Sequence, residues 1–277
     1  MIQYERKQLI LEQLRGSEVA HIEELVDTTG ASPSTVRRDI DALVKSGKII
    51  ALRGGAIKLN DRPSELPTSE KRLINRDAKQ AIAAAAAELV HDGDTVYIDS
   101  GTTTLQMMPL LRHRRIHVIT SNTQIFTMAP GDRVRVTILA GDWIASIGSI
   151  AGSLTERLLS ELYFDKAFIG ASGCSAKAGI NTLDIREASN NRIVHDNSED
   201  PFVLLDSSKF GKSTLCKAFE LSETNLITDA YHELLASMKS YIVAGSEQPA
   251  NPSGKQPEPT ERGGPRAWSH QISDVDL

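Results

Sequence analysis

Two stretches of this 277-residue chain put reactive or ligand-holding residue types at spacings with a physical meaning. The first is Ser32-Pro33-Ser34-Thr35-Val36-Arg37-Arg38. Ser32 suits the N-cap of a helix, where its hydroxyl accepts from a free N–H of the first turn. Pro33 then falls at the first helical position, where a missing N–H costs nothing. Val36, Ile40, Leu43 and Val44 recur at helical spacing as one apolar stripe, and Gly47 stops the helix. The opposite, leading face carries Ser32, Ser34, Thr35, Arg37 and Arg38, a short polar and basic edge of the kind that enters a DNA major groove. Downstream, Ile49-Ile50 and Ala56-Ile57 flank Arg53-Gly54-Gly55, which predicts a β-hairpin wing that lays Arg53 or Lys58 against phosphate. A plain bundle of amphipathic helices with a glycine hairpin is the alternative for the same residues.

The second stretch is Asp99-Ser100-Gly101-Thr102-Thr103-Thr104, directly after an apolar run of strand length and at the start of a helix. Glycine allows close backbone approach to a ligand, and free N–H groups with hydroxyls favour an anion such as phosphate. A Thr N-cap accounts for the same residues without a ligand. Three more strand ends are polar: Thr120-Ser121-Asn122, Gly170-Ala171-Ser172-Gly173 and Asp206-Ser207-Ser208-Lys209. Their convergence predicts a pocket for a small polar anion. Its lining would be Asp99, Ser100, Gly101, Thr102, Thr103, Thr104, Ser121, Asn122, Gly170, Ala171 and Ser172, with Lys209 as countercharge or as a solvated lysine.

Other chemistries find no support in the residues. Phe210-Gly211-Lys212-Ser213 has the end of a phosphate-binding P-loop, but the glycine required five residues before Gly211 is Asp206. His232-Glu233 lacks a second histidine, because position 236 is Ala. Cys174 and Cys216 stand in no paired motif, so neither a disulfide framework nor a metal site is expected, and no cofactor. The N-terminal residues have no secretory apolar core, and the run from Ile82 to Val90 is too short and weakly apolar to span a bilayer. The expectation is a cytoplasmic protein with no membrane partner. With 31 basic and 36 acidic side chains the net charge is −5, so any attraction to nucleic acid must be local. Within 32–58 it is: six bases, Arg37, Arg38, Lys45, Lys48, Arg53 and Lys58, face two acids, Asp39 and Asp41.

The elements that must position these residues follow from periodicity. Leu9, Ile10, Leu11 and Leu14 predict a helix over 3–15, and Ile22, Leu25 and Val26 a second before the Thr29-Gly30-Ala31 turn, giving helix-turn-helix. Residues 59–69, with two prolines and no periodicity, are a linker. A helix is expected from Glu70 to His91, its alanines allowing close packing on a sheet. Strand-length runs at 95–99, 116–120, 134–140, 166–170, 202–206 and 225–228 alternate with helical stretches near 103–112, 123–129, 153–162, 184–196 and 230–238, an α/β pattern with a largely parallel sheet. From Gly245 the chain is rich in Pro, Gly, Ser and charge and is expected to be disordered. The fold class is therefore α/β, an N-terminal winged helix-turn-helix domain (1–58) followed by a mostly parallel sheet domain (70–244), with a tail (245–277).

The segment TVRRDIDALVKSGKIIALRGGAI resembles the N-terminal signature of DeoR-family transcriptional regulators, with Arg37, Arg38, Asp39 and Gly54-Gly55-Ala56 matching directly. IDSGTTT, TSN, DKAFIGASG and LLDSSKFG resemble the landmarks of that family's sensor domain, so the likeness runs to about residue 230. The resemblance implies a repressor of carbohydrate genes, bound to operator DNA and released by a phosphorylated sugar. A homo-oligomer (dimer or tetramer) is expected because a single winged head covers few base pairs. It further implies a sensor fold similar to ribose-5-phosphate isomerases and coenzyme A transferases. The alternative is an isomerase-like enzyme carrying a DNA-binding head. Those isomerases place two acids just after the Gly-Ala of the equivalent strand, where this chain has Ser172 and Gly173. A basic residue common in the family's helix before LLDSS is replaced by Asn191, next to Arg192.

Overall fold

The computed structural model describes residues 2–17, 19–45, 48–52, 54–59, 68–145 and 147–245. Gly47, Arg53, most of the expected linker and the expected tail beyond Gly245 lie outside the described residues.

The N-terminal unit runs α1 (Gln3–Gly16), β1 (Ala20–His21), α2 (Ile22–Thr29), α3 (Pro33–Lys45), β2 (Ile49–Ala51) and β3 (Ala56–Leu59). Ile10, Leu14, Leu25, Val36, Ile40, Leu43, Ile49 and Ile57 form one core beneath the three helices. Each such side chain, taken from water, contributes about 1.5–3 kcal/mol. Val44, expected in this stripe, is 37% exposed, because the stripe turns toward α1 and α2 and leaves Val44 at its edge. β2 and β3 pair antiparallel, Ile49 with Leu59 and Ala51 with Ile57. Gly54 and Gly55 turn the hairpin with φ of 87° and 80°, a conformation that L side chains resist. Two-residue β1 adds a third strand against β3, too short to show any period in the sequence.

The second unit begins with α4 (Thr68–Lys71) and α5 (Arg76–Glu88). The single helix expected from Glu70 to His91 is thus two, broken at Asn75, whose φ of 52° is left-handed. Then follow β4 (Thr95–Ile98), a 3-10 turn (Thr104–Met107), α6 (Met108–Leu111), β5 (Ile116–Thr120), β6 (Val134–Ile138), β7 (Asp142–Ile144) and β8 (Ser149–Ala151). The chain continues through α7 (Ser153–Ser160), β9 (Phe164–Gly170), β10 (Gly173–Ser175), β11 (Gly179–Thr182), α8 (Ile185–Asp196) and β12 (Ser198–Leu204). The last described strands are β13 (Cys216–Phe219), β14 (Asn225–Thr228) and β15 (Ser240–Val243). The helical stretches expected near 123–129 and 230–238 are 3-10 turns, Thr123–Thr127 and Glu233–Ser237.

Seven strands form one sheet in the order β15-β14-β12-β9-β4-β5-β6, every pair parallel. Successive residues serve opposite faces. Val96, Ile98, Phe168 and Leu204 pack with Ile82, Ala83 and Ala86 of α5. Tyr97, Ala167, Ile169 and Val203 pack with Leu159 of α7 and Val194 of α8. Both faces are covered, which is why the central strands read as continuous apolar runs. A small antiparallel sheet, β10-β11-β13, and the β7–β8 hairpin stand beside the main sheet.

Candidate functional site

In the head, the polar leading edge of α3 is presented as expected. Ser32 Oγ accepts from the Thr35 N–H at 3.3 Å and lies 3.1 Å from Ser34 Oγ and 2.9 Å from Thr35 Oγ1. Ser32, Ser34, Arg37 and Arg38 are exposed, and Thr35 is half-buried. Asp39, beside the two arginines in sequence, does not share their face. It is 1% exposed and accepts from Arg6 Nε at 2.8 Å and Gln3 Nε2 at 3.2 Å, locking α3 to α1. An acid is thereby withdrawn from the basic edge. Lys58 is half-buried in β3 opposite Ile50.

In the sheet domain, register brings the expected loops together. Ile98 pairs with Thr120 on one side and with Phe168 on the other, and Gly170 pairs with Leu204. The loops after β4, β5, β9 and β12 therefore leave the sheet side by side. From β4 the chain moves outward to β5 and β6, then returns to β9 on the other flank. The β4–β9 boundary is thus the switch point where open α/β sheets take ligands.

The loops are tied to one another there. Asp99 Oδ2 accepts from the Gly170 N–H at 2.8 Å, and its Oδ1 from the Ser100 N–H at 2.6 Å and Ser100 Oγ at 3.3 Å. Burial pushes this carboxyl above the usual carboxylate range, against the hydrogen bonds from Gly170 and Ser100 and the charge of Lys209. A Cβ on Gly170 would lie 3.0 Å from Asp99 Oδ2 and 3.4 Å from Gly101 Cα, so the two glycines permit this close approach. Thr104 Oγ1 donates to the Asp99 and Gly101 carbonyls, at 3.0 and 2.8 Å. Ser121 Oγ lies 3.1 Å from the Tyr97 hydroxyl and 3.3 Å from Ser149 Oγ. Asn122 Oδ1 accepts from the Gln124 N–H at 2.9 Å, and its Nδ2 reaches the Asp99 carbonyl at 3.5 Å. Thr102 and Thr103 are buried in the same loop, and Ser172 donates its N–H to the Asn181 carbonyl at 2.9 Å.

Lys209 completes the group. Its Nζ donates to the Ala171 carbonyl. Burial lowers its pKa to about 8, with Asp206 and Glu187 acting to raise it and Lys71 and Lys79 to lower it further. Asp206 is held below the usual range although burial works to raise it, because Ser208, Lys209, Asn75 and Lys79 all favour its charge. The arrangement brings the buried Lys209 amine beside loops whose hydroxyls are largely bonded to their own scaffold, with Lys71 and Lys79 close enough to act on it. Among the described residues no group of three His, Cys, Asp or Glu side chains could hold a metal ion. Nor is any described helix long and apolar enough to cross a membrane.

Asn75, Lys79 and Asn190 at these loops escaped the sequence reading, and Glu187 and Asn191 join them there. Asn75, at the α4–α5 break, donates through Nδ2 to Asp206 Oδ1 at 2.7 Å and Ser208 Oγ at 2.9 Å. Buried Lys79 donates to the Lys71 carbonyl, and burial lowers its pKa, with Lys71 adding to the effect and Asp206 opposing it. Glu187 accepts from Thr182 Oγ1. Asn190 and Asn191 are buried on α8. Arg192 is turned away, its Nη1 2.8 Å from Glu223 and its Nε 3.2 Å from Asp196. The signal for Asn75 was available: asparagine is the non-glycine residue most at ease in the left-handed region.

The DeoR-like helix-turn-helix domain matches residues 6–62, and the DeoR C terminal sensor domain matches residues 74–230. The chain is 33% identical over 235 residues to the uncharacterized HTH-type transcriptional regulator FruR of Bacillus subtilis (strain 168), covering 84% of this chain and 94% of that protein. It is 32% identical over 212 residues to the lactose phosphotransferase system repressor of Lactococcus lactis subsp. lactis, covering 75% and 83%. Against the glycerol-3-phosphate regulon repressor of Escherichia coli (strain K12) it is 28% identical over 233 residues, covering 83% and 92%. Among solved structures it is similar to ribose 5-phosphate isomerase A of Methanocaldococcus jannaschii, at 20% identity and a TM-score of 0.36. That match covers 49% of this chain and 55%, about half, of the isomerase. Head and sheet domain match in the same order along one polypeptide, and this chain belongs to the DeoR family of transcriptional regulators.

Proposed function

We propose that the protein is a repressor of carbohydrate-metabolism genes whose grip on operator DNA is set by a phosphorylated sugar. The observation that carries this reading is one polypeptide joining an exposed Arg37-Arg38 edge to a switch-point crevice equipped for an anion. The names of its relatives, repressors of the lactose phosphotransferase system and of the glycerol-3-phosphate regulon, support the same class. Residues 1–58 are the head, with Ser32, Ser34, Thr35, Arg37, Arg38, Arg53 and Lys58 at the DNA. Residues 59–69 are the linker, and 70–244 the sensor and oligomer platform, as a dimer or tetramer. Phe126 and Trp143, both largely exposed on the sheet domain, suit burial between copies. The proposed place of action is the cytoplasm, with the operator.

In the crevice the phosphate lies over Ser100 to Thr104, and Lys209 neutralises it. Asp99, Thr104, Ser121 and Asn122 hold the loops that shape the site, and the Gly170-Ala171-Ser172 backbone forms its wall. The site binds without turnover. Ser172 and Gly173 stand after Gly170-Ala171, and the nearby carboxylates are engaged: Asp99 by Gly170 and Ser100, Asp206 by Asn75 and Ser208, Glu187 by Thr182. Coupling to the head has a short route. Lys209 is three residues from Asp206, which holds Asn75 at the start of α5, and Glu70 of α4 meets Lys48 at the foot of the wing at 2.7 Å.

The test is fluorescence anisotropy on a fragment from the protein's own upstream region. It is run with and without ribose 5-phosphate, fructose 1-phosphate, fructose 6-phosphate, galactose 6-phosphate and glycerol 3-phosphate. At least one should shift operator affinity tenfold or more, about 1.4 kcal/mol of coupling. No shift with any of them, together with no thermal stabilisation, would overturn the reading, as would conversion of a bound sugar phosphate followed by NMR.

A further inference from the structure

Buried polar atoms in folded proteins nearly always find a partner. Among the described residues, two of the atoms that do not are Oδ1 of Asn190 and Oδ1 of Asn191, on successive residues of α8. The side chains are 3% and 2% exposed. A backbone carbonyl lies beside each amide nitrogen. Asn190 Nδ2 donates to the Ile150 carbonyl, and Asn191 Nδ2 to the Gly170 carbonyl, each at 3.5 Å. A carbonyl neighbour demands the amide nitrogen, so each carboxamide keeps its oxygen on the side away from that carbonyl.

Both carbonyls belong to the crevice. Gly170 is the residue whose N–H is held by Asp99. The Ile150 N–H donates to the Ser121 carbonyl at 2.9 Å, so the β7–β8 hairpin is bound to the loop after β5. Glu187, one turn earlier on α8, is close enough to Lys209 and Tyr97 to influence both. The first half of α8 therefore lies along the same crevice as the anion-binding loops. The crevice is polarised. Lys209 stands as a donor at its 100–104 end, while its α8 end offers two acceptors that no described residue satisfies.

A phosphorylated polyol has the opposite pattern, with acceptors on its phosphate and donors on its hydroxyls. Resting on the effector reading above, we propose that Asn190 and Asn191 select the effector by its hydroxyl pattern, each carboxamide oxygen accepting from one sugar hydroxyl. A site built to bond a hydroxyl rejects the analogue lacking it, because its own buried group is then left unpaired. Phosphate supplies the shared affinity, and the two asparagines supply the discrimination.

The experiment is calorimetric titration of the full chain with ribose 5-phosphate against 2-deoxyribose 5-phosphate, fructose 6-phosphate against 1-deoxyfructose 6-phosphate, and inorganic phosphate. The parent should bind at least one hydroxylated sugar about tenfold more tightly than its deoxy partner, one hydrogen bond's worth. Asn190→Leu or Asn191→Leu should abolish that ratio while leaving inorganic phosphate binding within about twofold. The parent's own deoxy comparison keeps the test decisive if a variant fails to fold. A parent that binds sugar phosphates without distinguishing deoxy analogues would overturn the assignment. So would leucine variants that keep the full ratio, the result expected if ordered water satisfies the two oxygens. Failure of every sugar phosphate to bind the parent would instead overturn the effector reading, and this assignment with it.

Discussion

Lys209 gives the effector reading a pH signature. Its ammonium is held at about 8 rather than near its ordinary value of 10.5, chiefly by burial. A bound phosphate favours the protonated form, so free protein must take up a proton to bind well once the pH exceeds 8. With one group titrating, Lys209 is about nine-tenths charged at pH 7 and about one-tenth charged at pH 9, so affinity falls by up to tenfold per unit above 8. Below about pH 6 the phosphate itself becomes a monoanion and binding weakens again. The expected profile has its maximum near neutrality and an alkaline limb centred near 8. Titration calorimetry from pH 6.5 to 9.5, in buffers of different ionisation enthalpy, reads both the limb and the uptake of about one proton per site. Lys209→Met should bind weakly with no limb. Lys209→Arg, which keeps its charge throughout, should bind with no limb either. Stability moves the other way. The unfolded chain holds the extra proton between pH 8 and the ordinary lysine value of 10.5, so unfolding free energy should rise across that window in the parent, an increment Lys209→Met should lack. Affinity that stays flat from pH 7.5 to 9.5 with no buffer-dependent heat would refute the placement of Lys209 at the phosphate.

Three further outcomes are expected. Replacing Arg37 and Arg38 together by Ala should cost operator binding about 1–3 kcal/mol for a base contact, or flatten the salt dependence for phosphate contacts, and normal operator binding by the folded double variant would rule both out. Asp39→Ala strips Arg6 and Gln3 of their shared partner and should destabilise the head by about 1–3 kcal/mol, seen as faster hydrogen exchange in α1 and α3 but not in the main sheet. Gly170→Ala drives a methyl to 3.0 Å from Asp99 Oδ2 and should lower stability by about 1–3 kcal/mol; an unchanged unfolding midpoint would show that the Asp99–Gly170 contact is no clamp.

The central architecture was legible because burial on both faces leaves a plain mark. β5 and β14 coincide with their apolar runs, and β4 falls one residue short of its own. Where segments are short, that mark fades. Thr123–Thr127 and Glu233–Ser237 are single 3-10 turns, too brief for a helical period to be told from chance. β10 and β11, Gly173–Ser175 and Gly179–Thr182, owe their strand form to pairing with each other and with β13, not to local composition. The break at Asn75 sits amid good helix formers, and its cause, the bonds to Asp206 and Ser208, lies about 130 residues away. Asn190 and Asn191 stand on a helix, where residue type alone does not separate a buried asparagine from the commoner exposed one.

The candidate site divides the same way, and the division bears on mechanism. A row of hydroxyls and amides at strand ends predicts a polar crevice, but residue type alone does not say whether a hydroxyl meets a ligand or its own backbone. Here Thr104 closes on Asp99 and Gly101, Ser121 lies between Tyr97 and Ser149, and Asn122 caps the turn that follows it. Side chains committed to the scaffold in this way fix the loop before any ligand arrives, which lowers the entropy a ligand must overcome. Preorganisation of this kind gives affinity but does not by itself give a signal, since a ligand shifts an equilibrium only by binding two states unequally. The element suited to differ between states is the one that bridges both units. Asn75 holds the Asp206–Ser208 loop from the α4–α5 junction, and Lys209 belongs to that same loop. A ligand that redirects Lys209 from the Ala171 carbonyl to its own phosphate acts on the residues that anchor the arm leading to the head. Under the proposed reading the committed loops would receive the phosphate, and Lys209 would carry its arrival to Asp206 and Asn75.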